Sequence, residues 1–250
     1  MIHYEYPLSE RVRTLLRLES LFQKALYFAT LDDPLPHHAA VLAIFEIIEV
    51  TARADLKSDL LQELERQRQG LEALRRNSAI DQDKLNDILN EISLCLKSIH
   101  ALTGKLGQHL KDNEWLMNVK QRTSIPGGTC GFDLPAYHYW MNNTLAKRRT
   151  DLGAWISPML PIYHGVSIVL KLLRESGQPQ QVIAVKGAYQ QMLGGRNAQL
   201  LKISINPSLP CIPESSANKY ALSIRFLTVT QDHPVQCTEN IEFILTFCNL

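Results

Sequence analysis

The chain has 250 residues, enough to bury a large core as one domain or as two smaller ones. With 20% charged residues and a formal net charge of +1, its overall electrostatics indicate neither a nucleic-acid-binding protein nor a strongly acidic one. An anionic partner would therefore need a local basic cluster. The longest apolar run, residues 166–173, contains Ser167 and Lys171 and is too short to span a bilayer, so we expect no membrane insertion.

The cysteines and the amino terminus indicate a cytoplasmic protein. The five cysteines are odd in number and form no Cys-x-x-Cys pair, which suits a reducing cytosol better than a disulfide framework. The first residues include Glu5, Glu10 and several arginines without an apolar core, so we expect no secretory signal.

The first predicted elements are a short edge strand and a helix. Residues 2–6 are rich in aromatic side chains, and Pro7 ends them; Ser9 is a suitable N-cap for the helix that follows. Arg13 and Arg17 lie one helical turn apart beside the apolar stripe. From the residues alone, a solvated basic face is the preferred interpretation of this pair.

Residues 32–36 break this helix and begin another. The neighbouring His37 and His38 point apart on a helix and have no third ligand nearby, so we interpret them as surface histidines rather than metal ligands.

Residues 51–76 and 81–110 give the clearest helical patterns, with leucine and isoleucine recurring at alternating spacings of three and four. The short turn 77–80 predicts an antiparallel hairpin, with Asp81 as the N-cap of its second helix. The hairpin belongs by default to the core, although a protruding one could form a dimer contact. Gly104 and Gly107 predict that the second helix bends or ends near them.

A loop dense in turn residues, 124–134, occupies the centre of the chain. Asp112 is the predicted cap of the helix that leads to Arg122, and Asp133 is the predicted cap of the helix that follows the loop. His138 lies among aromatic residues in that second helix. A tight turn could therefore bring Arg122 and His138 to one surface.

The last helical region begins after a basic cluster, Lys147-Arg148-Arg149, which we expect to be solvated. Residues 150–176 are predicted to be helical with interruptions at Pro158 and Pro161, and Gly177 closes the segment.

Beyond Gly177 the hydrophobic period changes from 3.6 to 2. The predicted strands are 181–191, 199–206, 219–228 and 239–247, with a hairpin turn at Gly194-Gly195 and a loop at 207–213. In the third strand, Tyr220, Leu222, Ile224 and Phe226 share one face. Arg225 projects from the other face, where a solubilising role and a binding role are equally compatible with the sequence.

The predicted fold is α+β, with a mostly helical domain at 9–177 followed by a small antiparallel β domain at 178–250. No catalytic set is evident. Cys130 with His138 or His164 is a formal cysteine–histidine possibility, but a structural cysteine is commoner. Because Gly194-Gly195-Arg196 lacks a P-loop lysine and no zinc-ligand spacing occurs, we expect no cofactor, no metal and no enzymatic activity.

Three stretches resemble the ZapD family of bacterial cytoplasmic proteins. The most specific is the central run Arg-x-Ser-Ile-Pro-Gly-Gly-x-Cys-x-Phe-Asp-Leu-Pro-x-x-His-x-Trp, which extends from Arg122 to Trp140. The amino-terminal Tyr4-Glu5-Tyr6-Pro7-Leu8, with the residues up to Glu19, and the later Ile224-Arg225-Phe226 resemble the family as well. The chain departs from the pattern at Glu114, where a second basic residue would accompany Lys111.

The resemblance implies a non-enzymatic cell division factor that binds the carboxyl-terminal tail of FtsZ. As a homodimer, such a protein would bundle FtsZ filaments at mid-cell, and its amino-terminal strand would join the β domain. The implied partner-binding residues are Arg13, Arg17, Lys111, Arg122, His138 and Arg225. The alternative is an enzyme, or a phosphate- or nucleic-acid-binding protein, that uses the same basic residues; few stacking aromatics lie among them, and the net charge is near zero.

Overall fold

The structure is a computed structural model that describes residues 1–52, 55–77, 79–195, 198–228 and 233–249. It divides into two compact units: a helical unit, Thr14–Val169, and a β unit that combines Met1–Arg13 with Leu170–Leu250. The α+β class predicted from the sequence is confirmed. The predicted domain limits, 9–177 and 178–250, follow the change of secondary structure and stay a prediction.

Helices occupy most of the chain before residue 176. They are α1 (Glu10–Thr30), α2 (Pro34–Thr51), α3 (Leu56–Ala73), α4 (Gln82–Ala101), α5 (Gln108–Lys111), α6 (Glu114–Thr123), α7 (Pro135–Met141), α8 (Leu145–Ile156) and α9 (Leu160–Glu175). Short 3-10 turns follow α3 at Leu74–Arg76 and join α8 to α9 at Ser157–Met159.

Strands make up most of the β unit. They are β1 (Ile2–Pro7), β2 (Gln178–Ala184), β3 (Ala188–Met192), β4 (Leu200–Ile205), β5 (Cys211–Ala217), β6 (Ala221–Thr228), β7 (Val235–Gln236) and β8 (Ile241–Cys248).

Of the caps predicted for α1, α4 and α6, the first two are confirmed. Ser9 Oγ accepts from the Val12 amide at 3.2 Å at the start of α1. No cap was predicted for α2, where the Asp33 carboxylate accepts from the Leu35 amide at 2.8 Å. The Asp81 carboxylate accepts the amides at the start of α4. The predicted cap Asp112 is wrong: Asn113 caps α6, accepting from the Leu116 amide at 3.0 Å. Either side chain can serve a helix start, and the backbone places only Asn113 in the extended conformation that a cap requires.

The α3–α4 pair is antiparallel, because contacts join the start of each helix to the end of the other. Lys57 Nζ donates to the Leu102 carbonyl at 2.6 Å, and Arg75 donates to Asn86 Oδ1 at 2.7 Å. The predicted turn includes Ser78, which lies outside the described residues. The helix predicted for 81–110 is too long, since α4 ends at Ala101 before glycines with left-handed backbone.

The predicted interruption of 150–176 is confirmed at Pro158 and wrong at Pro161. Pro158 lies in the 3-10 turn Ser157–Met159 that joins α8 to α9, whereas Pro161 lies in the first turn of α9. Residues Leu145–Glu175 nonetheless form one helical run. By length and composition this run could cross a membrane, because an 18-residue window within it has a mean hydropathy of 1.4. Half of that window is buried inside the protein. Burial of this kind is also found in a core helix. At Gly165 an added Cβ would lie 2.8 Å from Leu60, so the run packs closely on α3.

The β unit contains two antiparallel sheets of strand orders β1-β4-β8-β2 and β3-β6-β5, with β7 also paired to β6. The predicted edge strand at residues 2–6 is confirmed as β1, which pairs with β4. Buried side chains from both sheets form the core, where the Phe226 and Phe243 rings lie 4.9 Å apart.

Three strand-level predictions need correction. The strand predicted for 181–191 is divided by a two-residue turn, in which Lys186 has a φ of 49° and Gly187 a φ of 69°. Gly194-Gly195 closes no hairpin, because β3 and β4 pair in different sheets. The loop predicted for 207–213 already contains the start of β5. Each of these depends on which strands pair, which local periodicity does not determine.

The outward orientation of Arg225 is confirmed. In β6, Leu222, Ile224 and Phe226 are buried and Arg225 is exposed, as an alternating strand requires. Tyr220 does not belong to the buried face: it precedes the strand and is exposed.

Candidate partner-binding site

The central loop between α6 and α7 is a compact succession of turns. The Ile125 amide donates to the Arg122 carbonyl at 3.0 Å, and the Gly128 amide donates to the Ile125 carbonyl at 2.9 Å. Farther along, the Asp133 and Leu134 amides both donate to the Cys130 carbonyl at 3.0 Å. Backbone hydrogen bonds therefore determine the path of this loop from the end of α6 to the start of α7.

Two glycines make this path possible. Gly127 has a φ of 71°, which disfavours any residue with a Cβ. At Gly128 an added Cβ would lie 2.9 Å from the Ile125 Cβ and closer still to the Arg122 carbonyl oxygen. The Gly-Gly pair thus allows the loop to fold back against the end of α6.

His138 projects from α7 on the far side of the loop and is exposed. An added Cβ at Gly131 would lie 3.0 Å from the ring nitrogen Nδ1, so the loop backbone packs directly against the imidazole. Asn142 Nδ2 lies 3.4 Å from Nε2. The loop therefore contacts Arg122 through its backbone at one end and the His138 ring at the other.

The start of α7 differs from the prediction. Its N-cap is Leu134, which forms no side-chain cap, with Pro135 in the first turn. Asp133 is exposed and does not cap the helix, because its amide is engaged in a turn to Cys130 one residue before the cap position.

The buried side of α7 packs in an aromatic cluster. The Trp115 ring lies 5.8 Å from Tyr137, 5.9 Å from Trp140 and 5.8 Å from Trp155. Trp140 Nε1 also donates to Asp151 Oδ2 at 2.9 Å. With Tyr137 and Trp140 buried, the intervening His138 and Tyr139 point outward.

Tyr137 also joins α7 to α2. Its hydroxyl lies 2.7 Å from His38 Nδ1, and burial raises the pKa of Tyr137 while it lowers the pKa of His38. A neutral histidine therefore accepts the hydrogen bond from a protonated tyrosine.

The basic cluster predicted to be solvated is partly buried. Arg148 is only 5% exposed, and its guanidinium donates to His37 Nδ1 at 2.9 Å and to the carbonyls of Asp32, Met141 and Asn143. These acceptors belong to three separate segments, which the sequence pattern does not bring together. Beside it, Arg149 pairs with Asp32 at 2.7 Å.

His37 and His38 are likewise not surface residues. His37 is fully buried, and its Nε2 donates to the Leu31 carbonyl at 2.7 Å while Nδ1 accepts from Arg148. Burial is the main reason that the pKa of His37 is lowered, and the nearby Arg148 and Arg149 act in the same direction. Both ring nitrogens are therefore used by a neutral imidazole.

The remaining predicted site residues lie on three elements. On α1, Arg13 pairs with Glu10 at 3.1 Å, and Arg17, one turn later, is exposed. Lys111 ends α5 and is exposed. Arg225 on β6 lies 3.7 Å from Glu214 of the neighbouring strand.

Within the described part of the chain, Arg17, Lys111 and Arg122 make no side-chain hydrogen bond or ion pair. These three belong, with His138, to the helical unit, whereas Arg13 and Arg225 belong to the β unit. The structure brings Arg122 and His138 to one loop and Arg13 and Arg17 to one helix. Convergence of all six residues on one pocket stays a prediction.

The sequence pattern assigned no role to Phe132, which we call, together with Asp133, the tip of the central loop. Phe132, in the loop before α7, is 84% exposed, and Tyr139, directly after His138, is 73% exposed. The only available signal was an aromatic residue in a run of turn formers, which does not reveal its exposure.

A groove of about 590 Å³ lies between α2 and α6. Phe45 and Met117 contribute apolar surface, and Glu46, Glu49 and Lys120 contribute charge. Glu49 and Lys120 form an ion pair there.

Among the described residues, no cluster of three or more histidine, cysteine or acidic side chains could hold a metal ion, and all five cysteines are free. Burial raises the pKa of Cys95, Cys211 and Cys248 above the ordinary thiol value.

Comparison with known proteins defines the class of this chain. Proteins named cell division protein ZapD are similar to it along its whole length. The protein from Azoarcus sp. (strain BH72) is 54% identical over all of both chains. The one from Aromatoleum aromaticum is 51% identical, covering all of this chain and 98% of the relative, and that from Nitrosomonas eutropha is 51% identical over all of both.

These relatives are cell division proteins, and the family model for ZapD, described as a cell division protein, matches residues 16–225. The chain belongs to the ZapD family of cell division proteins.

Proposed function

We propose that this protein binds the carboxyl-terminal tail of FtsZ and, as a homodimer, cross-links and bundles FtsZ filaments at the division site. It acts in the cytoplasm as a non-enzymatic factor that supports assembly of the Z-ring. Family membership supports the division role, and the resemblance of the central motif suggests the partner.

The observation that carries the proposal is the preorganised loop with Arg122 at one end and His138 at the other. Arg17, Lys111 and Arg122 are exposed cations without a side-chain partner in the described chain, so their charges remain available to an anionic peptide. Arginine binds carboxylates through two parallel hydrogen bonds, and exposed aromatic side chains can hold the apolar part of an extended segment.

The dimer gives the protein two sites. A disordered tail loses conformational entropy on binding, so each site is weak and bundling depends on both sites acting together. We expect the α3–α4 hairpin to supply the dimer contact; Leu94 on α4 is 64% exposed, a large apolar side chain on the outer face of that hairpin.

Co-sedimentation with FtsZ filaments tests the proposal. The protein should pellet with full-length FtsZ and stay in the supernatant with FtsZ that lacks its carboxyl-terminal tail. Equal pelleting with both forms would place the contact on the FtsZ core and overturn the proposal.

A further inference from the structure

The tip of the central loop presents a large apolar side chain to solvent. Phe132 is 84% exposed, and Tyr139 is exposed on the next helix. Burying a phenylalanine side chain stabilises a folded protein by roughly 1.5–3 kcal/mol. The exposed Phe132 ring does not provide this stabilisation. An exposed apolar ring of this size is a surface that a partner can bury.

The exposure of Phe132 does not come from a loose segment. On its two sides, the Cys130 amide donates to the Gly127 carbonyl and the Leu134 amide donates to the Cys130 carbonyl, each at 3.0 Å. The preceding residue, Gly131, packs against the His138 ring. A partner therefore meets a ring whose backbone is already ordered, which reduces the entropy lost on binding.

The residue that follows this ring along the chain carries a carboxylate. Asp133 is exposed, does not cap α7 and makes no ion pair within the described ranges. Its charge is opposite to that of Arg122 at the other end of the loop. The tip therefore presents an apolar residue followed by an acidic one, in a loop that runs from Arg122 to the helix of His138.

We propose that Phe132 and Asp133 form a second recognition element, which takes a large apolar side chain adjacent to a lysine or arginine in the bound tail. This inference rests on the proposed function, because the occupant is the same tail that the basic residues bind. Arg122 and His138 select carboxylates, whereas Asp133 selects a cation, so the tail segment must carry both signs of charge around an apolar residue. Two opposite contacts on one ordered loop fix the direction of the peptide.

The charge of the tip favours this occupant over a lipid surface. Asp133 would repel an anionic membrane, and a preordered loop that places a carboxylate beside its aromatic ring suits a peptide with a basic side chain. A second copy of the chain is the remaining occupant, and it is an outcome of the test.

The test measures binding of a synthetic peptide of the FtsZ carboxyl-terminal tail by fluorescence anisotropy. Phe132→Ala should weaken binding about tenfold and Asp133→Asn about threefold, with the melting temperature unchanged. Phe132→Trp should bind like the unsubstituted protein. The controls are Leu35→Ala, an equally simple truncation of a 73% exposed side chain, and Glu239→Gln, an exposed carboxylate elsewhere.

A second peptide identifies what Asp133 contacts. When every lysine and arginine of the tail is replaced by glutamine, the difference between the unsubstituted protein and Asp133→Asn should vanish, while the effect of Phe132→Ala persists.

The possible results distinguish failure of this inference from failure of the proposed function. Normal peptide binding by folded Phe132→Ala would overturn the inference and leave the proposed function standing. No peptide binding by the unsubstituted protein would overturn both. A monomeric mass for Phe132→Ala in light scattering would show that the tip contacts a second copy of the chain, which also overturns the inference.

Discussion

Arg148 donates from Nε to Nδ1 of His37 at 2.9 Å, and both side chains are buried. The same guanidinium holds the carbonyls of Met141 and Asn143, at the end of the helix that carries His138. The end of α7 is therefore held by one buried cation. The acceptors of its hydrogen bonds are backbone carbonyls and a neutral imidazole.

Replacing Arg148 should cost far more stability than replacing its neighbour. Arg148→Met leaves several buried acceptors without a donor and should lower the free energy of unfolding by about 3 kcal/mol or more. Arg149→Met, the matched control, removes a half-exposed ion pair and should cost about 1 kcal/mol or less. Urea denaturation measures both; equal effects would contradict the role assigned to Arg148.

The two neighbouring histidines predict acid sensitivity. Burial lowers the pKa of His37 and of His38 below the ordinary 6.5 in the folded protein, so the unfolded chain binds protons at a higher pH. The stability from these groups is complete above about pH 6.5 and is lost as the pH falls towards their lowered values.

Thermal unfolding between pH 7.5 and pH 5 measures this effect. The double variant His37→Gln with His38→Gln should give a flatter profile, and exposed His100→Gln should leave it unchanged. A slope that the double variant retains would assign the pH dependence to other groups.

His138 should act in binding and not in folding. Because its ring is exposed and contacts the loop from outside, His138→Ala should weaken co-sedimentation with FtsZ while the melting temperature changes little. Unfolding of this variant would assign the residue to the structural support of α7 instead.

The helical hairpin should carry the dimer contact. Leu94→Lys places a charge on the outer face of α4 and should give a monomeric mass in light scattering at micromolar concentration. Such a monomer should bind a tail peptide and fail to bundle filaments. A dimeric mass would move the interface away from the hairpin, and a monomeric unsubstituted protein would contradict cross-linking by a dimer.

The sequence predicted what local patterns determine and missed what distant segments determine. Alternation along β6 predicted that Arg225 points outward, and the side chains of Ser9 and Asp81 marked two helix starts. Burial of Arg148 was missed because its acceptors come from residues more than a hundred positions away as well as from nearby ones. A run of basic residues in a sequence predicts solvent exposure, because the sequence does not show which carbonyls will accept hydrogen bonds from it in the folded chain.

In the central loop, too, the sequence predicted local turns but not the exact position at which the next helix begins. The turn residues of this loop predicted turns at 124–128, which the backbone hydrogen bonds confirm, whereas a common surface for Arg122 and His138 stays a prediction. Assigning Asp133 as a helix cap was wrong, because the turn to Cys130 shifts the cap position to Leu134. That shift of one residue leaves a carboxylate exposed beside Phe132 and creates the surface proposed above.

Charge reversal tests the central claim, an electrostatic site for an anionic tail. The variant combines Arg17→Glu with Arg225→Glu, and its control combines Lys24→Glu with Lys219→Glu, which has the same net charge and also changes one exposed lysine in each unit. Reversal adds repulsion to the lost pairing, so it should cost more than replacement of the same arginines by alanine.

The most direct measurement is FtsZ bundling by light scattering, at physiological and at raised salt, with folding and dimer mass checked for each variant. We predict that the arginine variant stays a folded dimer and fails to bundle, that the lysine variant bundles normally, and that added salt weakens bundling by the unsubstituted protein. Bundling that survives in the folded arginine variant, or that does not respond to salt, would contradict an electrostatic site for the tail.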